Sequence, residues 1–296
     1  MKFVVIINPS AGSGMKKHYF KSLSDAFSKA GHQVTTIYSQ DYKDLFHSAR
    51  RASKDADVIV AVGGDGTINH VINGIVGSGV LFGFIPLGSA NCIANEFNIP
   101  LDPPAACSVI LNMKTHEIDL GKVNDRYFLG FASAGFDADL VVEIEKKQHI
   151  KRLTIGERLL VVPLYIFMGF RRFFRTRHVR LQMIADQVIM PSGYWILIGN
   201  TRDYAGFWKI FPQAKMDDGK LDYIIARKKD VVSALKYFFL AKSGQDLGLQ
   251  TLVRGQAKEI IIHARKKVRV QADGEFIDHT PVNIIVVPKA IKMIVP

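Results

Sequence analysis

The stretch Asp57-Val58-Ile59-Val60-Ala61-Val62-Gly63-Gly64-Asp65-Gly66-Thr67-Ile68-Asn69-His70-Val71-Ile72 decides the fold. It opens as an apolar run of strand length, and Ile68, Val71, Ile72 and Ile75 then recur at helical spacing. A buried strand that passes through a glycine-rich turn into a helix is the unit of a parallel sheet covered on both faces. Working outward, Phe3–Ile7, Val34–Tyr38 and Val80–Leu87 read as further strands. Tyr19, Phe20, Leu23, Ala26, Phe27 and Ala30 form a helical stripe between the first two. The N-terminal part is therefore predicted as a doubly wound α/β domain whose ligands bind beyond the carboxyl ends of the strands. The loops Asn8–Gly14 and Gly63–Thr67 lie at two such ends.

Past Gly121 the pattern changes. Tyr127–Ala132, Val179–Ile184, Tyr194–Ile198, Leu221–Ala226, Ile260–His263, Val268–Gln271 and Val282–Val287 read as strands separated by turns. Helical insertions are expected around Asp137–His149, Glu157–Phe174 and Val231–Leu240. The second domain is thus predicted as mainly antiparallel, a β-sandwich or open barrel. The expected division is 1–121 and 122–296, with a crossing near 118–125 and the last residues returning to the first domain.

The chain has 296 residues, room for two cores. It is 48% apolar and 22% charged, ordinary for a globular protein. A net charge of +12 favours polyanionic partners: nucleic acid, nucleotides or anionic lipid headgroups. No nucleic-acid motif accompanies that charge, so nucleic acid is not expected as a partner. The two cysteines, Cys92 and Cys107, make neither a disulfide scaffold nor a metal-ligand pair, which points to a reducing, cytoplasmic setting. The longest apolar run, Leu159–Phe170, contains Pro163 and Gly169. It falls short of the roughly 20 residues that span a bilayer. Any membrane contact is expected to be peripheral.

Three small-residue loops carry the chemistry. In Gly63–Thr67 the glycines let backbone N–H groups approach a phosphate, and the helix start adds partial positive charge. Asp65 fits there as a ligand of a phosphate-bridging Mg²⁺, as an acceptor for a substrate hydroxyl, or simply as a helix cap. Asn8-Pro9-Ser10-Ala11-Gly12-Ser13-Gly14 lacks the closing Gly-Lys-Ser/Thr of a Walker A loop and the third glycine of a dinucleotide fingerprint. It reads equally as a nucleotide contact or a plain strand-to-helix turn. Pro86-Leu87-Gly88-Ser89-Ala90-Asn91 is the third loop, and the three would converge on one ligand.

Taken in order, these motifs resemble the diacylglycerol kinase catalytic-domain family, which includes bacterial diacylglycerol kinases and the sphingosine and ceramide kinases. The likeness continues through Asp119-Leu120-Gly121, Ala134-Gly135-Phe136-Asp137, Lys215-Met216-Asp217-Asp218-Gly219 and Asp273-Gly274-Glu275, and so covers nearly the whole chain. The Gly-Gly-Asp-Gly-Thr string is shared with NAD kinases; the ordered set is more specific.

The resemblance implies an ATP-dependent lipid kinase acting on a lipid hydroxyl, with ATP in the cleft between two domains. Asn8, Pro9, Ser10, Ala11, Gly12, Gly63, Gly64, Asp65, Gly66, Thr67 and Ser89 would hold ATP, and Ser39 stands where the family has a threonine. Asp273-Gly274-Glu275 would supply the carboxylate that takes the hydroxyl proton, with Glu275 first and Asp273 and Asp65 beside it in the catalytic set. Asp218 would ligate a structural Mg²⁺ with main-chain oxygens near Lys215 and Lys220, and Asp119 would link that metal through water. Without the resemblance, Asp273-Gly274 reads as a hairpin turn. Asp217-Asp218-Gly219 reads as a turn or as an oxygen-rich cation site.

One departure stands out. Where the family has Asp after the asparagine of the third loop, this chain has Cys92, with Glu96 one helical turn later. The loss of that charge would alter acceptor choice or weaken catalysis. Lys146–Arg152 and the aromatic-laced Arg171–His178 suit an anionic membrane surface or, alternatively, a solvated basic face. Exposed sheet edges in the second domain leave a homodimer open. A NAD kinase-like phosphotransferase and a catalytically weak lipid- or nucleotide-binding regulator are the competing readings.

Overall fold

The structure is a computed structural model that describes residues 1–11, 17–135, 137–139, 141–142, 179–204, 208–227 and 252–296. Gly12, most of the expected 137–149 helix, the Glu157–Phe174 and Val231–Leu240 helices, the apolar run and both basic segments lie outside the described residues. The chain divides into two compact units, Met1–Leu120 with Val287–Pro296, and Gly121–Val286.

In the first unit, β1 (Lys2–Ile7), β2 (Gln33–Tyr38), β3 (Val58–Gly63) and β4 (Leu81–Pro86) form a parallel sheet in the order β2-β1-β3-β4. Every residue of β3 is buried, which explains its unbroken apolar sequence. Fully burying each such aliphatic side chain contributes roughly 1.5–3 kcal/mol. The helices are α1 (Lys17–Lys29), α2 (Tyr42–Ala52), α3 (Asp65–Ile75), α4 (Cys92–Glu96) and α5 (Pro103–Asn112). The buried face of α3 contains the expected Ile68, Val71, Ile72 and Ile75. The α2 helix starts where the Asp41 side chain accepts from the Asp44 amide at 2.8 Å. Asp102 caps α5 in the same way at 3.1 Å, ahead of Pro103, and Met113 ends that helix in the left-handed region. The final strand's end also belongs to this unit, with Met293 opposite Phe82 of β4 in parallel register.

In the second unit, two antiparallel layers enclose one core. The strands are β6 (Arg126–Phe128), β7 (Phe131–Gly135), β8 (Leu181–Ala185), β9 (Val188–Ile189), β10 (Trp195–Gly199), β13 (Leu221–Ala226), β14 (Leu252–Ala257), β15 (Glu259–Ala264), β16 (Arg269–Ala272) and β17 (Glu275–His279), with the pair β11 (Asp203–Tyr204) and β12 (Trp208–Lys209) alongside. One sheet runs β14-β13-β10-β7-β16-β17; β15 and β8 pair in the other, with the first half of β18 (Val282–Ile294). The strand β5 (Thr115–Val123) carries the chain from the first unit into the second. Alternate residues of both layers, including Ala134, Ile196, Tyr223, Met183, Ile262 and Ile284, meet in the core, as a β-sandwich requires.

Candidate active site

A parallel sheet ordered β2-β1-β3-β4 reverses its winding between β1 and β3, and ligands of such sheets bind at that reversal. The two loops leaving β1 and β3 are bonded to each other there. Asn8 Nδ2 donates to Thr67 Oγ1 at 3.0 Å, and the Asn8 amide donates to the Val62 carbonyl. Asn8 Oδ1 accepts from the Ser10 amide at 3.0 Å and so shapes the Pro9-Ser10-Ala11 turn. Ser39, buried at the end of β2, donates its amide to the Ile7 carbonyl.

The third loop joins them by close backbone approach. A Cβ on Gly88 would lie 2.7 Å from the Gly64 Cα, so only glycine fits at 88, and a Cβ on Gly64 would be tight at 3.0 Å from the Gly88 Cα. Asn91 closes this loop on itself: its Oδ1 accepts from the Gly88 amide at 2.8 Å and its Nδ2 donates to the Gly88 carbonyl at 2.9 Å. Ser89 stays exposed at the tip. Gly63, Gly64, Gly66 and Thr67 thus surround the first turn of α3, and a helix start of this kind favours an anion. Tyr42, stacked on His70 with ring centroids 4.7 Å apart, lies against Gly66. Sequence patterning did not single it out, because one tyrosine in a helix carries no signal.

Asp65 has a specific structural task. Its Oδ1 accepts from the Ile93 amide at 3.4 Å. Burial raises its carboxyl above the ordinary range, opposed by the amides of Cys92, Ile93 and Asn91. The carboxylate therefore ties the second loop to the start of α4, where Cys92 stands. Cys92 takes part through its backbone.

The second unit supplies another turn. Asp273 (φ 47°) and Gly274 (φ 81°) both have positive φ and join β16 to β17, as a two-residue hairpin of this residue type does. The Asp273 carboxylate accepts three backbone amides: Leu129 at 2.7 Å, Gly130 at 2.9 Å and Phe131 at 2.9 Å. Its own amide donates to the Phe131 carbonyl. Asn200 holds the same segment from the other side, through the carbonyls of Leu129 and Gly130. This clasp breaks the expected strand Tyr127–Ala132 into β6 and β7. Glu275, one residue past the turn, is one-third exposed and meets Arg126 Nη2 through Oε2 at 3.0 Å. Arg126 was missed in the sequence because nothing local links it to a residue 149 positions away.

Of the expected metal residues, Asp218, Lys215 and Lys220 are exposed in one turn, and Asp218 Oδ1 accepts from the Lys220 amide at 3.0 Å. Asp222 lies near enough that its carboxyl, raised first by burial, is raised further by the Asp218 charge. Asp119 is buried in the first unit and accepts from the Lys289 amide at 2.8 Å. Among the described residues, no three His, Cys, Asp or Glu side chains converge as a metal cluster.

Residues 2–123 match the diacylglycerol kinase catalytic domain, and residues 131–295 match the YegS C-terminal NAD kinase beta sandwich-like domain. The chain belongs to the diacylglycerol kinase family. A diacylglycerol kinase of Staphylococcus haemolyticus is 30% identical over 99% of this chain and 87% of its own length. One from Staphylococcus aureus (strain bovine RF122) is 29% identical over 99% and 91%. A crystal structure of a Bacillus anthracis diacylglycerol kinase shares the fold with a TM-score of 0.76 at 18% identity, covering all of this chain and 97% of that one. Members of the diacylglycerol kinase family are lipid kinases, so this chain is a lipid kinase that moves a phosphate from ATP to a hydroxyl. Among the described residues, no helix is long and apolar enough to cross a membrane.

Proposed function

We propose that this family member phosphorylates the free hydroxyl of diacylglycerol or a closely related lipid, using ATP held by the loops at Asn8–Gly12, Gly63–Thr67 and Ser89, with Ser39 beside them. The observation that carries this reading is the joining of those loops, by the Asn8–Thr67 hydrogen bond and by the close backbone approach of Gly64 and Gly88. It gives backbone amides a fixed arrangement for phosphate oxygens, the preorganisation that phosphoryl transfer needs.

Glu275 is the group we assign to the acceptor's proton. An alcohol is a poor nucleophile, and a positioned carboxylate helps as the proton leaves. Glu275 remains partly exposed, whereas Asp273 has three amides on its carboxylate. Within the proposed catalytic set, Asp273 and Asp65 serve by holding loops.

Mg²⁺ fits the Asp218 turn: exposed carboxylate and carbonyl oxygens suit a hard cation, and a cation would relieve the repulsion between Asp218 and Asp222. Asp218 with the main chain near Lys215 and Lys220 would hold it. A water link to Asp119 rests on the family likeness alone. Mg²⁺ bound to ATP supplies charge neutralisation at the transferring phosphate. Peripheral contact with anionic membrane follows from the net charge of +12 and the basic segments. A homodimer is supported by the edge strand β9, where Val188 and Ile189 are exposed.

The test is transfer of labelled γ-phosphate from Mg²⁺-ATP to diacylglycerol in mixed micelles, with the product identified by mass. Labelled phosphatidic acid is expected. Labelling of NAD with none in any lipid would contradict the proposal.

A further inference from the structure

We infer that Asp137 and Gln271 form a positioning relay behind the Asp273-Gly274-Glu275 turn and fix the backbone from which Glu275 projects. The inference rests on the proposed role of Glu275.

Gln271 faces two ways. Its Oε1 accepts from the Gly274 amide at 2.9 Å. Its Nε2 donates to Asp137 Oδ2 at 2.9 Å and to Ser133 Oγ at 2.9 Å. A side-chain amide can be turned end for end at little cost unless its partners forbid it. Here the Gly274 backbone forbids it. An amide N–H only donates, so Gln271 must present its oxygen to Gly274 and its amino group to Asp137.

Asp137 is itself held. Ser133 Oγ donates to its Oδ2 at 2.7 Å, and the Tyr204 hydroxyl donates to its Oδ1 at 2.7 Å. Ser133, Asp137 and Gln271 are all buried. Burial raises the Asp137 carboxyl, and the Tyr204, Ser133 and Gln271 donors oppose that rise. A buried carboxyl that needs three donors is an expensive arrangement for a fold to keep without use. Ser133 and Gln271 also pair across β7 and β16, and the β16–β17 register shifts between Val270 and Gln271. Such irregularities re-aim side chains beside active sites. No task for Asp137 or Gln271 is legible in the sequence, because their meeting spans 134 residues.

Reversing the bond directions tests the relay. Asp137→Asn, Gln271→Glu and the double variant are assayed for transfer to diacylglycerol, at a temperature where circular dichroism shows each folded. A displacement of about 1 Å at a reacting group can cost ~100-fold, so each single change should lower kcat about 10- to 100-fold while KM for ATP stays within about twofold. The double variant should recover at least about tenfold over the singles. In it the new asparagine amide donates to the new glutamate, which still accepts from Gly274. A folded Asp137→Asn protein with unchanged kcat overturns the relay. If the single variants do not fold, Tyr204→Phe and amide hydrogen exchange of the unaltered protein decide. A slowly exchanging Gly274 amide and a lowered kcat for Tyr204→Phe support the relay; rapid Gly274 exchange overturns it. Glu275→Gln separates the two claims. If it retains full kcat, the base assignment fails and the relay loses its catalytic meaning. If it abolishes transfer while Asp137→Asn leaves kcat unchanged, the relay alone fails.

Discussion

The turn at Gly63–Thr67 and the turn at Asp273–Glu275 both combine aspartate with glycine, yet they place their acids differently. At the first, glycine gives room for another backbone, and the Asp65 carboxylate takes its own amide together with those at the start of α4. At the second, glycine supplies a positive φ, and the aspartate takes three amides of its own unit. Only there does a second acid follow, and Glu275 is left beside Arg126 with part of its surface exposed. An acid in a motif is therefore a chemical group only when the backbone has not already claimed it.

The largest test of this contrast is Asp273→Ala. It leaves three amides without their acceptor, each costing roughly 1–3 kcal/mol when desolvated, so a loss of at least about 3 kcal/mol is expected in urea unfolding. A loss below about 1 kcal/mol would mean that the clasp carries little. Gly88→Ala comes next. Its Cβ would meet the Gly64 Cα and Asn91 Oδ1, both at 2.7 Å, and overpacking of this kind costs about 1–3 kcal/mol. Thermal melting should fall and ATP affinity should weaken with it, whereas unchanged values would separate the two loops.

Asp65 gives a smaller effect with a defined sign. Its carboxyl is raised above the ordinary 3.8, so the native state holds more proton than the unfolded chain as pH rises from that value. Its contribution to stability is full below the unfolded value and is lost as pH rises through the folded one. Asp65→Asn should flatten that decline in denaturation measured across the acid range; an unchanged slope would place the carboxylate elsewhere. The smallest effect concerns the thiols. Burial, helped by the charge of Asp102, pushes Cys107 up to about 11, so an alkylating reagent at pH 8 should modify Cys92, at the start of α4, well before Cys107.

The sequence made the parallel sheet legible because β3 is buried throughout and α3 shows a clean apolar stripe. It did not show α2, whose buried face is Leu45, Ser48 and Ala49, too small and polar to mark a period. It missed β5 and β14 as well: β5 places acids among its apolar residues, and β14 has Gly255 and an exposed Arg254. The strand beginning at Val282 runs on to Ile294, past Pro288 and a positive φ at Lys289 that end most strands. The glycine loops could be read because each is local. The Arg126–Glu275 pair, the Asp273 clasp and the Gln271 relay could not, since each joins residues more than 130 positions apart.

The most direct test of the whole account is Glu275→Gln, measured for kcat, ATP affinity and melting temperature together. A fall in kcat of about 100-fold or more is expected, with ATP affinity and melting temperature close to those of the unaltered protein. Full retention of kcat, or a loss of activity that only tracks a collapse in melting temperature, would contradict it.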